Sequence, residues 1–513
     1  MVVVYHQNNK VVKIYRNQDI VLSETHLNIA STLLALAKKF PTDKLIWSHI
    51  TMETNINWDA LDLIFHHDRI MASFNTASGQ YFCDCIGYID ESVSLNINKN
   101  VVYSTWLTSS ALGGISAKAL LQFENKIKFG NNFDYFLHSL AKIGSIKGLF
   151  CYSDPRFVID KTISVPVKKA NVHTLFQFTK QHYRTRWIFI LFLNFLIFEK
   201  RFPVIALLGT LRFKKRNKVN VQLSSVKVQS KLNVIEFKTM DVIIPTIGRK
   251  DCLYDVLQDL AKQTHLPKNV IIVEQNPLAE SISELDYLTK EKWPFEVKHI
   301  FTHQAGACNA RNVALSKVSS EWVFLNDDDN RFDKDLIHNI FDKIEQFGIY
   351  VATTSYLQKH EKLVFKDIHQ TGIFGSGNSF VKSSCLKKVS FSMALEFGYG
   401  EDFDFGMQLR QVGFDVIYFP NPSILHLKAP FGGFRIKPQF AWASEKYEPK
   451  PSPTIMYTKQ KYLSSKQIEG YQLKLFMKSI KKESPFNWYR FYISFKRRWN
   501  TSVDWSKKLS KMK

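Results

Sequence analysis

From Met240 to Asp329 the chain alternates short apolar runs with amphipathic ones, and this alternation constrains the fold more than any other feature. Met240-Asp-Val-Ile-Ile-Pro-Thr-Ile-Gly-Arg249 reads as a buried strand broken by Pro245, then a tight turn at Gly248. Leu253, Val256, Leu257 and Leu260 follow at helical spacing, so the unit is strand, loop, helix. Gln263-Thr264 and Pro267 close that helix, and Asn269–Glu274 is again strand-like. A helical Ser283–Lys290, a strand Glu296–Phe301 and a helix opened by Gln304-Ala-Gly-Ala-Cys-Asn-Ala-Arg-Asn312 complete the series. Such alternation predicts an α/β fold with a mostly parallel central sheet.

The last strand of the series, Glu321-Trp-Val-Phe-Leu-Asn-Asp-Asp-Asp329, delivers three consecutive carboxylates at its carboxyl end. Adjacent like charges need a cation. Open α/β sheets bind ligands beyond the carboxyl ends of their strands, and hard divalent ions are held there by carboxylate oxygens together with substrate phosphates. An isolated acidic cluster after a strand is more often a solvated turn or a helix cap. Here a second acidic group follows in Leu395-Glu-Phe-Gly-Tyr-Gly-Glu-Asp-Phe-Asp404, where glycines 398 and 400 precede a helix that begins with Glu401, Asp402 and Asp404. Carboxylates favour that end of a helix on macrodipole grounds alone.

In order, Ile244-Pro-Thr-Ile-Gly-Arg249, Gln263-Thr264, Gly306 with Ala310-Arg-Asn312, Asp327–Asp329, Gly375-Ser-Gly377, Gly400-Glu-Asp402 and His426 resemble the motifs of the family 2 glycosyltransferases, which use the GT-A nucleotide-sugar fold. The resemblance spans about residues 240–440. It implies that Pro245, Thr246, Arg249, Glu274, Gly306, Arg311, Asp327 and Asp328 contact the nucleotide sugar, and that Gly375, Gly377 and Glu401 contact the acceptor. It implies further that Asp327, Asp329 and His426 hold Mn²⁺ or Mg²⁺, and that Asp402, with Glu401 beside it, is the catalytic base. Glu274 stands where the family usually carries an Asp that holds the nucleobase. A sugar hydroxyl is a poor nucleophile at neutral pH, which is why a carboxylate within hydrogen-bond reach is required. Lys428 and Arg435 flank the segment Ala-Pro-Phe-Gly-Gly-Phe-Arg435, expected as a loop over the donor diphosphate.

A chain of 513 residues with 45% hydrophobic content should hold more than one core. Residues 1–170 read as a second α/β domain with a helix at Ile29–Phe40, a strand at Leu45–His49 and further elements at Leu61–Ser73 and Ala117–Phe123. No acidic triplet occurs there, and His66-His-Asp68 in its apolar setting reads as a core edge. Leu112-Gly-Gly-Ile-Ser116 and Gly148-Leu-Phe-Cys-Tyr-Ser153 resemble acceptor-side segments of bacterial glycosyltransferases, so the expectation is a degenerate, transferase-like accessory domain. Residues 171–235 are expected as an apolar and basic connecting segment, 236–440 as the GT-A domain and 441–513 as a helical basic extension. The six cysteines, at 83, 85, 151, 252, 308 and 385, lack paired metal-finger spacing and read as free thiols.

The net charge of +23 points to an anionic partner. Nucleic acid is disfavoured, because Trp488, Tyr489, Phe491, Tyr492 and Trp499 fall at helical rather than platform spacing. The runs Trp187–Phe198 and Phe202–Leu211 are each shorter than the roughly twenty residues a membrane-spanning helix needs. They read as buried interdomain helix or as helix lying on an anionic membrane surface. No charged-then-apolar leader opens the sequence, so the expected location is the cytoplasm, peripheral to the inner face of the cytoplasmic membrane. The expected activity is inverting transfer of a sugar from a nucleotide-diphosphate donor to a glycan or lipid-linked acceptor in surface polysaccharide synthesis. The competing reading is a non-catalytic glycan- or nucleotide-binding scaffold. A nucleotidyltransferase is disfavoured by the absence of a glycine-rich phosphate loop.

Overall fold

The computed structural model describes residues 1–17, 19–23, 27–75, 80–127, 130–216, 218–429, 440–481 and 483–511. The chain folds as two compact units. One comprises Met1–Leu232, Asp367–Gln370 and Leu463–Leu475, the other Asn233–Lys366, Thr371–Tyr462 and Phe476–Lys513.

The first unit is built on strands β1 (Val2–Gln7), β2 (Lys10–Arg16), β3 (Asp19–Ser23), β4 (Lys44–His49), β5 (Ile70–Ser73), β6 (Tyr103–Ser104), β7 (Leu112–Ser116) and β8 (Phe150–Ser153). Their order in the sheet is β3-β2-β1-β4-β7-β5-β8-β6. Asn8 and Asn9 both take positive φ, 51° and 63°, which is the two-residue turn whose twist suits a hairpin, and β1 and β2 pair antiparallel through it. Of residues 171–235, expected as a connecting segment, 171–232 cluster with this unit and 233–235 with the other. Phe176, Phe178, Leu191 and Phe195 from the helices Val172–His182 and Arg186–Phe198 are buried in its core with Phe82, Trp106 and Tyr88. The apolar residues of these segments pack helix on helix: Val172–His182 lies against the helix Phe133–Gly144 and against Arg186–Phe198. His66 pairs with Ser230 and Asp68 with Lys118, so that cluster is tied into the surrounding fold.

The second unit carries β9 (Met240–Thr246), β10 (Asn269–Gln275), β11 (Glu296–Thr302), β12 (Trp322–Asn326), β13 (Asn330–Arg331), β14 (Val351–Leu357), β16 (Asn378–Lys382) and β17 (Ile417–His426), with the short β15 (His369–Gln370) assigned to the first unit. Their order is β11-β10-β9-β12-β16-β14-β17-β13. The run from β11 to β12 is parallel throughout, β16 is reversed, and β14 and β17 are parallel again. The predicted strands and the helix after β9 thus form as expected. The segment Ser283–Lys290 differs: only Tyr287–Lys290 is helical. Glu274 draws in the Ser283 hydroxyl at 2.6 Å and the Glu284 amide at 3.0 Å, which holds the preceding residues out of helical geometry.

Asp241, with no exposed surface, lies in the central parallel strand. It accepts hydrogen bonds from the amides of Ser319 (2.7 Å) and Ser320 (3.0 Å), the Ser320 hydroxyl (2.5 Å) and the Asn269 side chain (2.6 Å). It therefore links the starts of β9 and β10 to the turn before β12. Burial opposes its charge, but these donors prevail and hold the carboxyl below the ordinary range. Its stabilising contribution is therefore full above the unfolded value of about 3.9 and is lost as pH falls through the lower folded value. Asp241→Ala should cost about 3 kcal/mol at pH 7, because it strands several buried donors, and urea unfolding should show the deficit shrinking as pH falls below 4.

Candidate active site

One cavity of about 660 Å³ opens in the second unit, lined by residues from the ends of β9, β10, β12 and β17 and from the start of the helix Glu401–Gln411. Its volume lies in the range of small-molecule and cofactor sites. Pro245, Thr246, Arg249, Gly306, Arg311, Asp327, Asp328, Asp329, Glu401, Asp402 and His426 all reach it. Residues spread over 180 positions of sequence are thus gathered where the parallel half of the sheet meets the reversed strand β16.

The three carboxylates after β12 have different partners. Asp327 accepts from Arg311 Nη2 and from the Tyr356 hydroxyl, both at 2.9 Å. Asp328 accepts from the Thr246 hydroxyl and from Arg249 Nη1, both at 2.7 Å. Burial pushes Asp328 up to about 6, with Arg249 pulling the other way. Asp329 takes the Ala429 amide at 2.8 Å, lies 3.4 Å from Arg249 Nη1 and sits 3.5 Å from His426 Nε2. Burial raises its pKa, but His426, the amide and Arg249 outweigh burial and hold the carboxyl below its usual range. Among the described residues no three His, Cys, Asp or Glu side chains form a ready-made metal cluster. Asp329 and His426 do converge, a carboxylate and imidazole donor pair that fits Mn²⁺ or Mg²⁺ if substrate oxygens complete the shell.

On the other side of the cavity, Gly400 takes φ 113° and starts the helix that carries Glu401 and Asp402. The Ser376 amide donates to Asp402 at 3.2 Å. Burial raises the pKa of both carboxyls, and mutual repulsion adds to the rise at Glu401, while Arg311 draws both down. Arg311 is buried and faces Asp327, Asp402 and Glu401, so one guanidinium serves both carboxylate groups. The helix is braced from behind: Asp404, fully buried, takes Lys461 Nζ at 2.7 Å and the Tyr462 hydroxyl at 2.8 Å.

Three of the sequence-derived site residues are not at the cavity wall. Glu274 turns away: besides Ser283 and Glu284 it pairs with His299 Nε2 at 2.9 Å, and its neighbour Gln275 lines the cavity instead. Its extra methylene relative to Asp lets the carboxylate reach its own following loop. Gly375 and Gly377 lie behind the lining residue Ser376, and a Cβ on Gly377 would come 2.1 Å from Asp327 Oδ2. Gly377 is therefore a close-approach residue for the carboxylate cluster. Lys428 lines the cavity, whereas Arg435 lies outside the described residues.

Sequence reading did not single out Glu396 or Tyr356. Glu396 lines the cavity and caps the helix Ala307–Leu315 through the amides of Cys308 (3.0 Å) and Asn309 (2.8 Å). The Tyr356 ring stacks on His426 at 4.5 Å, and its one hydroxyl proton is shared between Asp327 and Asn330 Oδ1, which lies 2.7 Å away. Both act from positions with no motif of their own.

A parallel α/β half-sheet with carboxylates and fixed cations at its carboxyl edge is where sheets of this kind bind their ligands. Residues 241–392 match the family described as Glycosyl transferase family 2. An uncharacterized glycosyltransferase of Rickettsia conorii is 24% identical over 178 residues, 35% of this chain and 29% of that protein. A second, from Rickettsia bellii, is 26% identical over 144 residues, 28% of this chain and 20% of that protein. The chain spans less than a third of the length of these relatives. Residues 1–349 of S. aureus TarS, in a crystal structure with UDP-GlcNAc, align at 16% identity and a TM-score of 0.37, covering 50% of this chain and 80% of that one. The second unit carries a glycosyltransferase domain of family 2.

Gly306 tests how tightly this site is built. Its φ is 145°, and a Cβ there would lie 2.4 Å from the Glu396 carboxyl carbon. Gly306→Ala should destabilise the protein by about 1–3 kcal/mol in urea unfolding. Adding Glu396→Ala should cost less in the Gly306→Ala background than in the wild type, because the two substitutions share one contact.

Proposed function

We propose that the chain is an inverting, metal-dependent glycosyltransferase that moves a sugar from a nucleotide-diphosphate donor to a glycan or lipid-linked acceptor in cell-surface polysaccharide synthesis. The observation that carries the reading is the facing pair of carboxylate groups on one cavity, Asp327–Asp329 and Glu401–Asp402, bridged by Arg311. The first group suits the donor side. Arg249 and Lys428 offer positive charge to a diphosphate there, and Thr246 with Gln275 offers polar contacts to the nucleoside. A divalent cation, Mn²⁺ or Mg²⁺, would be held by Asp329 and His426 and would neutralise charge on the departing diphosphate.

The second group suits the acceptor side. Asp402 is the base: it takes the proton of the acceptor hydroxyl as that oxygen attacks the anomeric carbon from the face opposite the diphosphate. Glu401 orients the acceptor. Arg311 keeps Asp402 from losing its charge entirely to burial, while burial keeps it basic enough to accept a proton. The work site is the inner face of the cytoplasmic membrane, where a lipid-linked acceptor would be met.

Asp402→Asn should leave donor binding in place and lower transfer by a hundredfold or more, and the wild-type product should have the opposite anomeric configuration to the donor. Because the base must be ionised and its pKa is raised, transfer should climb with pH along a limb lying above the ordinary aspartate value of about 3.9. Retention of configuration in the product, read by NMR, would refute direct displacement. Donor binding without turnover under any acceptor or metal would instead support a binding scaffold.

Asp329→Ala should abolish the metal dependence of donor affinity in calorimetric titrations. Equal affinity with and without metal in the wild type would remove the cation from the scheme.

A further inference from the structure

We propose that the helices Arg186–Phe198 and Val204–Gly209, with the turn Thr210–Arg212, form a docking surface that seats the first unit on an anionic lipid bilayer. This deepens the membrane element of the proposed function and rests on surface chemistry independent of the cavity. Six large apolar side chains on these elements, Phe189, Ile197, Phe202, Ile205, Leu208 and Leu211, expose between 43 and 77% of their surface. They do so in an ordered way. Ile188, Leu191 and Phe195 point into the core, and Phe189 and Ile197 point out from the same helix. In the next element Ala206 and Thr210 are buried while Ile205, Leu208 and Leu211, three residues apart, face outward. A run that is apolar on both faces has satisfied its core with one face and left the other for a second apolar phase.

Charge identifies that phase. Eight exposed lysines and arginines lie between residues 184 and 218, among them Arg186, Arg201, Arg212 and Lys215. The only acidic residue in the interval, Glu199, is turned to the Tyr88 hydroxyl at 2.6 Å and Lys466 Nζ at 2.7 Å. The apolar face is therefore rimmed by cations with no free anion among them. A second copy docking by a two-fold axis would set this cationic rim against itself. Anionic headgroups match the rim, and the acyl boundary beneath them accepts the apolar side chains. No helix among the described residues is long and apolar enough to cross a membrane, so the contact is a seat in the interface.

The test is flotation of the full chain with vesicles of phosphatidylcholine alone or mixed with phosphatidylglycerol. The wild type should float with the mixed vesicles, and raised salt should weaken but not end the attachment. The triple variant Ile205→Ser, Leu208→Ser, Leu211→Ser should bind mixed vesicles at least about tenfold more weakly while keeping the wild-type melting temperature, since these side chains contact solvent. Ile205→Trp, which enlarges the apolar face, should bind more tightly, a gain that unfolding cannot produce. Turnover of a water-soluble donor should be unchanged in every variant, so failure of docking and failure of the transferase reading are separate results. Wild-type protein that ignores mixed vesicles, or a triple variant that floats like the wild type, would overturn the proposal. So would a wild-type dimer in solution that the triple variant dissolves, which would assign the face to a second copy.

Discussion

The compensation of carboxylates by two arginines is the interaction on which the second unit's chemistry depends. Three consecutive aspartates at one strand end would repel strongly in a site with little water. Arg249 spans Asp328 and Asp329, and Arg311 holds Asp327. Neither arginine is a surface ion pair of small consequence; both are largely withdrawn from solvent, where removing one partner leaves an uncompensated charge.

Arg311 extends this compensation across the cavity to Glu401 and Asp402. The helix that carries them follows Gly398 and Gly400, two positions of its approach without side chains. Its position is fixed by the helix Pro453–Tyr462, whose Thr454 takes up the space a side chain at Gly398 would need and whose Lys461 and Tyr462 bind the buried Asp404. The basic segment after residue 440 thus has a structural role close to the chemistry. A tail rich in lysine need not be solvated or lipid-bound along its whole length.

Much of the site was legible because each motif couples a local structural signal to a chemical one. A strand ending in aspartates and a glycine pair before acidic residues both state where their side chains will point. The unreadable part depends on distances between segments. Tyr356 stacks on His426 because β14 and β17 are neighbours, although the two residues are 70 positions apart in sequence. Glu396 looked like part of an acidic run and became a helix cap only once the helix Ala307–Leu315 was packed beside it. Glu274 shows the opposite case: its position matched a base-binding acid, and in the fold its carboxylate is engaged by its own loop and by His299. The segment 171–232 was ambiguous for a simpler reason. Periodicity shows that a helix has apolar faces but not which neighbour will cover them.

The two sheets repeat one plan. β1, β4, β7, β5 and β8 occupy the same successive places as β9, β12, β16, β14 and β17, they occur in the same order along the chain, and each neighbouring pair has the same sense. The difference lies at the outer edge. Where the second unit runs β9, β10 and β11 parallel, through crossovers that carry helices, the first unit turns back at Asn8-Asn9 and builds the antiparallel β2 and β3. A hairpin needs two residues to connect its strands, whereas a parallel crossover needs a dozen or more. β4 ends in Ser48-His49, where its counterpart β12 runs on into three aspartates. The first unit therefore keeps the counterparts of β9, β12, β16, β14 and β17, and has a hairpin where the second unit has the parallel β10 and β11.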